Sequence, residues 1–321
     1  MISIRRRAVE FIGVVIVASC VAVTIGACRN NADSNSVSNA ALNVATAQTD
    51  SAANALPSWL LGTWTREWIN RRGTESNTLD VHYLQTPSIF ADVRFPRDRG
   101  DFSHARSFDD LSDEELSQLA RQRGFTGHTT VDGLISTWHH ELDFQPPDSS
   151  ADIGRIARNG ADAMFEHALD SSYTESWKST SAGANTFLVV RIERAGRLQS
   201  TLIVTGDDFV YVRNRAKDLP SAPSLDSLIA STQATRAQII EYLDCEFSVG
   251  RVRGGTIPWE IQHSTLPWRE KQRLDFVDGI MVAAESATLL VPRAPIADSW
   301  SVPVNTISRG DLLTLFVARK P

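Results

Sequence analysis

Leu60-Leu61-Gly62-Thr63-Trp64-Thr65-Arg66-Glu67-Trp68 is the first stretch of the 321-residue chain that is built for a folded core. Its aromatic and Thr content suits a pleated, half-buried surface, so a strand is predicted over Leu60–Ile69. The residues before it read as export and tether. The residues after it read mostly as strands able to close around it.

On its C-terminal side, β-rich runs succeed one another at Thr78–Leu84, Ile89–Phe95, Thr129–Phe144, Gly154–Arg158, Ala163–Leu169, Tyr173–Ser179, Thr186–Glu193, Gln199–Thr205 and Phe209–Arg213. Turn residues separate them, as at Arg72-Gly73, Asn159-Gly160, Asp170-Ser171-Ser172, Ala195-Gly196 and Gly206-Asp207-Asp208. Short spacing and hairpin turns predict an antiparallel meander rather than βαβ units. Beyond residue 245, strands are expected at Glu246–Val252, Trp259–Ser264, Arg273–Phe276, Met281–Ala284, Thr288–Val291 and Leu312–Ala318. One helix is predicted over Asp113–Arg123, with Ser112 and Glu115 forming a capping box and Gly124 after the last turn. A second is predicted over Ser224–Tyr242, with a break near Ser231-Thr232. The fold class is therefore mainly β, with one or two short helices.

Gly62-Thr63-Trp64, early in a β meander, resembles the Gly-x-Trp of the lipocalin and fatty-acid-binding (calycin) barrels. That resemblance implies a Gly that permits close backbone approach at the barrel bottom and a Trp that plugs the closed end. It also implies an Arg packed over the Trp ring, for which Arg213 and Arg319 are the candidates. The chain carries about twice the strands one such barrel needs. As a whole it resembles an uncharacterised bacterial family, and a fungal one, with two fused lipocalin-like antiparallel β-barrels. The stretches that carry this are Tyr83–Ser88, Ala91–Pro96, Tyr173–Trp177 and Pro258–Ile261. The first barrel is then expected over 58–220 and a second, smaller barrel or completing half over 221–321.

The N-terminus has its own logic. Arg5-Arg6-Arg7 precedes an apolar run from Phe11 to Ala27, the layout of a secretory signal. Ile25-Gly26-Ala27-Cys28 resembles a bacterial lipobox, as does Val17-Ala18-Ser19-Cys20. Cys28 is preferred, because polar Arg29-Asn30-Asn31 comes directly after it, whereas Cys20 would leave Val21–Ile25 in the mature chain. The resemblance implies a signal peptide over 1–27, lipidation at Cys28 and outer-membrane sorting, since no Asp comes after Cys28. Residues 28–57 are Asn-, Ser- and Ala-rich without an aromatic, and are read as a flexible tether.

Formal net charge is −6, and the part from Cys28 holds 29 basic and 37 acidic residues. No basic tract resembles a nucleic-acid footprint. With Cys20 removed and Cys28 lipidated, only Cys245 remains, so no disulfide is expected, and Cys245 is read as a core residue. There is no Gly-x-Ser-x-Gly, phosphate-binding Gly loop, His-Glu-x-x-His or Cys-x-x-Cys, and so no implied cofactor or metal.

Three groups of residues bear on function. In Trp138–Phe144, regular alternation puts Thr137, His139, Glu141 and Asp143 on one face and Trp138, His140, Leu142 and Phe144 on the other, inward, face. Adjacent His139 and His140 diverge and cannot share one ion. In the second group, Asp92 and Arg94 share a face, Tyr173, Glu175 and Trp177 share another, and Met164 alternates with Glu166. Glu175, flanked by two aromatics, points inward and needs a cation, for which Arg94 is expected. This is either a structural ion pair or a polar anchor for the carboxylate or amine of a ligand. The third group is Trp259, Glu260 and His263, expected to line a second barrel, with a turn at Pro267-Trp268-Arg269-Glu270. The expectation is a membrane-anchored periplasmic binder of a small apolar or amphipathic ligand, with Arg94, His140, Glu166, Tyr173, Glu175 and Trp177 as candidate contacts. The alternatives are an envelope interaction protein with filled barrels, and a hydrolase or isomerase built on His140 or Glu175.

Overall fold

β1 (Gly62–Arg71) is the seam on which the barrel closes. It pairs with β3 (Leu79–Gln85) on one side and with β9 (Tyr173–Ser179) on the other, both antiparallel. Between them run β4 (Phe90–Pro96), β5 (Arg123–Asp132), β6 (Ile135–Asp143), β7 (Asp152–Arg158) and β8 (Ala163–Ala168), each paired with its sequence neighbour. The short β2 (Thr74–Ser76) only extends the end of β1. The result is a closed, eight-stranded, up-and-down antiparallel barrel, the architecture that the calycin resemblance implies. The computed structural model describes residues 56–147, 150–181, 186–283, 289–290 and 298–319. The expected lipidation site Cys28, the signal peptide and the tether as far as residue 55 lie outside the described residues.

One end of the barrel is sealed by the start of the Leu60–Trp68 stretch, Leu60 to Trp64. Trp64 lies in a cluster with Leu60, Val81, Tyr83, Phe90, Trp138 and Trp177. Its indole N–H donates to the Leu60 carbonyl at 2.8 Å, which ties the preceding 3-10 turn (Ser58–Leu60) across the barrel bottom. Trp59 packs edge-on against it. Gly62 has φ +125°, and a Cβ there would sit 2.6 Å from Ser181 Oγ, the atom that accepts from the Thr63 N–H. The glycine is therefore required by both backbone angle and space. The arginine expected over Trp64 is not Arg213, which pairs with Asp244 and Glu246 in the other sheet. The side chain of Arg319 lies outside what is described.

The second half shows no second barrel among the described residues. β10 (Phe187–Arg194), β11 (Arg197–Thr205), β12 (Asp208–Arg213), β13 (Glu246–Arg251), β14 (Glu260–Ser264), β15 (Met281–Ala283), β16 (Leu289–Leu290), β17 (Asp298–Asn305) and β18 (Val317–Arg319) form two sheets. The larger is open, in the order β14-β13-β12-β11-β10-β17, and the smaller is β16-β15-β18. Among the described residues no pairing closes either one. β10, β11 and β12 precede residue 220 but pair within this second sheet, so the last barrel strand ends at Ser179. All the described residues fall in one compact unit.

The physical reason is two-sided burial. Val189, Ile203, Val210 and Val212 face the outer wall of the barrel, where they meet Leu84, Ala91, Val93, Phe95, Leu142 and Phe144. The alternate residues Leu188, Val190, Leu202, Val204 and Phe209 face a second core containing Trp259, Ile261, Leu312 and Phe316. One face of the second sheet is thus taken up by the barrel wall and the other by this second core, and neither lines a cavity of its own among the described residues.

Four α-helices complete the fold among the described residues. α1 (Asp113–Leu119) has the predicted Ser112–Glu115 capping box but ends four residues early, because β5 starts at Arg123. α2 (Leu225–Thr232) and α3 (Arg236–Leu243) are the expected broken helix. α4 (Arg309–Leu315), capped by Ser308, replaces most of the strand expected over Leu312–Ala318. Cys245 is fully buried, as expected. Arg215, just past β12, is also buried and donates to three carbonyls, those of Tyr242, Asp143 and Phe144. It thereby fixes the end of β6 to the second layer.

Candidate functional site

At the end opposite Trp64 the barrel holds a cavity of about 700 Å3. The C-terminal ends of β1, β4 and β6 and the N-terminal ends of β5, β7 and β9 meet there. All six candidate contacts, Arg94, His140, Glu166, Tyr173, Glu175 and Trp177, line this one cavity. Phe125, Trp138, Tyr83 and Met164 supply apolar wall, and Asp92 with Arg71, Arg123, Asp143 and Asp152 supplies further charge.

The buried charges are paired, but not as expected. Glu175, 3% exposed, takes its cation from Arg66 at 2.5 Å. Arg94 instead forms a two-pronged pair with Asp92 on its own strand, at 2.6 and 3.0 Å. The correction has its cause in the register. Arg66 lies opposite Trp177 on the neighbouring strand, on the same inward face as Trp64. Arg94 is separated from β9 by β3 and β1, and Asp92 is only two residues away. Burial would lower the Arg94 pKa, but Asp92, Glu175 and Glu166 together raise it.

Glu166 stands directly opposite Glu175 across β8 and β9. Burial, then the Glu175 charge, pushes its carboxyl up to about 8, although a hydrogen bond from Tyr173 and the nearby Arg94 oppose this. Glu166 is therefore a neutral acid at pH 7, accepting from the Tyr173 hydroxyl at 2.8 Å. Tyr173 is in turn raised, first by burial and then by Glu166.

A β-bulge places His140. Thr126 and Gly127 are consecutive on β5, yet oppose Leu142 and His140, so Glu141 is an extra residue on β6. Gly127 is needed there, since a Cβ would meet the His139 carbonyl oxygen at 1.9 Å. The predicted apolar face is thereby split. Trp138 and His140 point into the barrel, while Leu142 and Phe144 turn outward into the interlayer core. The same bulge swings Asp143 inward, so that it accepts from His140 Nδ1 at 2.8 Å, with Asp152 on Nε2 at 3.1 Å. The imidazole stacks on Phe125 with centroids 4.1 Å apart. It is a cavity-wall residue. Burial would lower its pKa, but the two carboxylates outweigh this and raise it to about 9. His139 faces away, stacked on His128, as expected for neighbours in a strand.

Two cations at the mouth have no carboxylate partner among the described residues. Among the described residues Arg71 and Arg123 form no ion pair; Arg71 lies over the Tyr173 ring at 5.5 Å. Arg123 is directly opposite Arg94 in the β4–β5 register. Burial, then Arg94, Arg71 and Arg66, lower its pKa, and Asp92 only partly compensates.

The third group does not form a site of this kind. Trp259 is buried in the core beyond the open sheet, and its indole N–H donates to the Leu315 carbonyl at 3.2 Å. Glu260 accepts from the Thr256 N–H. His263 and Trp268 border a groove of about 550 Å3 alongside Phe95 and Arg99, and Trp268 packs edge-on against Phe108.

Arg66, Arg71, Arg123, Asp143 and Asp152 are the site residues that sequence reasoning misses. Arg66 is accessible to it, because it alternates with Trp64. Arg71 and Asp143 are not, because each reaches the inward face only through a bulge, at Glu67 and at Glu141 respectively.

No protein-family model matches the chain, and no curated protein matches it. Among solved structures it is similar to the uncharacterised protein YLR301w of Saccharomyces cerevisiae, with a TM-score of 0.46 and 10% identity. The match covers 76% of this chain and 98% of the yeast one.

Proposed function

We propose that the barrel is a non-enzymatic binding module that holds one small amphipathic molecule. The observation that carries this is the cavity, about 700 Å3, closed at the Trp64 end and open at the other. Its size falls within the range of small-molecule sites, as does its mix of aromatic wall and a few fixed polar groups. A filled barrel would offer no such space. A wholly apolar ligand fits less well, because it would strip water from Arg94, Asp92 and Glu175 without replacing it. The histidine is poorly placed for proton abstraction, since both ring nitrogens are engaged by carboxylates. The same reading makes the chain a lipoprotein anchored through Cys28 and facing the periplasm, on the support of Ile25-Gly26-Ala27-Cys28.

Native mass spectrometry of the full chain, purified without denaturation from the cells that make it, tests the binding reading. One small-molecule adduct per polypeptide is expected. A bare polypeptide mass, together with no response of tryptophan fluorescence to amphipathic probes, would overturn it.

A further inference from the structure

Charge at the cavity is unevenly matched. Asp92 is held by Arg94, Glu175 by Arg66, and Asp143 and Asp152 share His140. Arg71 and Arg123 remain without a carboxylate among the described residues, and both line the cavity. They come from different strands, β1 and β5, that converge on the same rim. Arg123 also faces Arg94 directly across the β4–β5 ladder, an arrangement of like charges that destabilises a sheet unless something answers it. Phe125 lies near the rim, and Trp138 and Trp177 lie deeper, toward the Trp64 end, so that together they give flat surfaces along the depth of the cavity against which a ligand body would pack.

We propose that the cavity rim is an anion subsite, in which Arg71 and Arg123, backed by Arg94, receive the carboxylate of an amphipathic ligand whose aromatic or aliphatic body lies against Phe125, Trp138 and Trp177. This rests on the binding reading above and narrows it from amphipathic ligands in general to organic anions. Guanidinium groups suit the task, because their planar donors match the two oxygens of a carboxylate. An amine is matched less well by the same inventory: Asp92 and Glu175 each have a cation and Asp143 and Asp152 flank the His140 imidazole, whereas Arg71 and Arg123 have no carboxylate among the described residues. The neutral Glu166 supplies a hydrogen-bonding group in the wall without adding a repelling charge.

The test uses three probes with one shared body, 4-phenylbutyrate, 4-phenylbutanamide and 4-phenylbutylamine, titrated into the full chain and monitored by tryptophan fluorescence. The carboxylate is expected to bind at least tenfold more tightly than the amide, and the amine more weakly than either. In Arg123→Gln and Arg71→Gln the carboxylate is expected to fall to the affinity of the amide, while the amide is unchanged. Arg123→Gln is also expected to melt no lower than the parent, because it removes a like-charge contact with Arg94. That pairing of retained stability with lost anion affinity is not what a structural arginine would give. Equal binding of acid and amide, unaffected by either substitution, would overturn the anion subsite and leave the binding reading standing. Tightest binding of the amine would overturn the subsite as well. Failure of all three probes to bind the folded parent would overturn both readings.

Discussion

Glu166→Gln is predicted to stabilise this protein, and to do so only above a definable pH. The carboxyl is 8% exposed, faces Glu175 across two strands and is held by the Tyr173 hydroxyl. Burial and the Glu175 charge raise it from 4.5 to about 8. An acid whose folded value lies above its unfolded value keeps a proton that the unfolded chain releases. Stability from this group is therefore full below pH 4.5, falls as pH rises, and is wholly lost above pH 8. At about 1.36 kcal/mol per pH unit the loss is at most about 5 kcal/mol. Glutamine keeps the shape and the acceptor for Tyr173 but has no proton to lose. Urea unfolding at pH 5, 6.5 and 8.5, monitored by tryptophan fluorescence, should show near-equal stabilities at pH 5 and a variant ahead by several kcal/mol at pH 8.5. A difference that does not change with pH, or a parent more stable at pH 8.5, would show that Glu166 is not held as a neutral acid.

The same barrel supports further expectations. The His140 imidazole should titrate near pH 9 by NMR, and its stabilising contribution should be complete below pH 6.5 and fade as pH rises through 9; titration at 6.5 would mean that Asp143 and Asp152 do not hold it. Arg66→Met should cost about 3–5 kcal/mol by leaving Glu175 buried without its cation, and adding Glu175→Leu should recover most of that loss; no recovery in the double variant would count against the pair. Trp64→Ala should cost about 3–5 kcal/mol in chemical denaturation, because it removes the plug from a closed barrel end. A loss under about 1 kcal/mol would show that the end is not sealed by this ring.

Period-2 patterning is enough to find the barrel. Gly62, Trp64, the β3–β4 and β8–β9 hairpins and the inward set of Tyr173, Glu175 and Trp177 can all be read from alternation. It is not enough to find which strand pairs with which sheet. β10 to β12 alternate apolar with apolar, and a strand buried on both faces has no polar side to reveal which layer it joins. Thr129–Phe144 reads as one run because Asp132-Gly133, the β5–β6 turn, sits inside it; Gly133 has φ +60° and turns the chain. The site is legible as a set of residues but not as a set of partners. Each bulge inserts one residue and reverses the faces beyond it, and nothing in a local pattern announces the insertion. That is why alternation puts Asp143 on the wrong face, while Arg94 is matched to the wrong carboxylate because alternation does not give the strand order that sets β3 and β1 between it and Glu175.

Arg215 carries a consequence for how the molecule can be divided. The carbonyls it grips at Asp143 and Phe144 belong to the rim of the cavity, yet Arg215 itself arrives 71 residues later in the chain than Phe144. An isolated barrel ending at Ser179 would lose this brace and would also bare the apolar outer wall made by Ala91, Val93 and Phe95. Excision would expose an aggregating surface and loosen the one strand end that holds both His140 and Asp143. The vessel and its backing are thus a single heritable part. Insertions and fusions should be tolerated at exposed hairpin tips, whereas any truncation that parts the barrel strands from Arg215 should leave neither half able to fold alone.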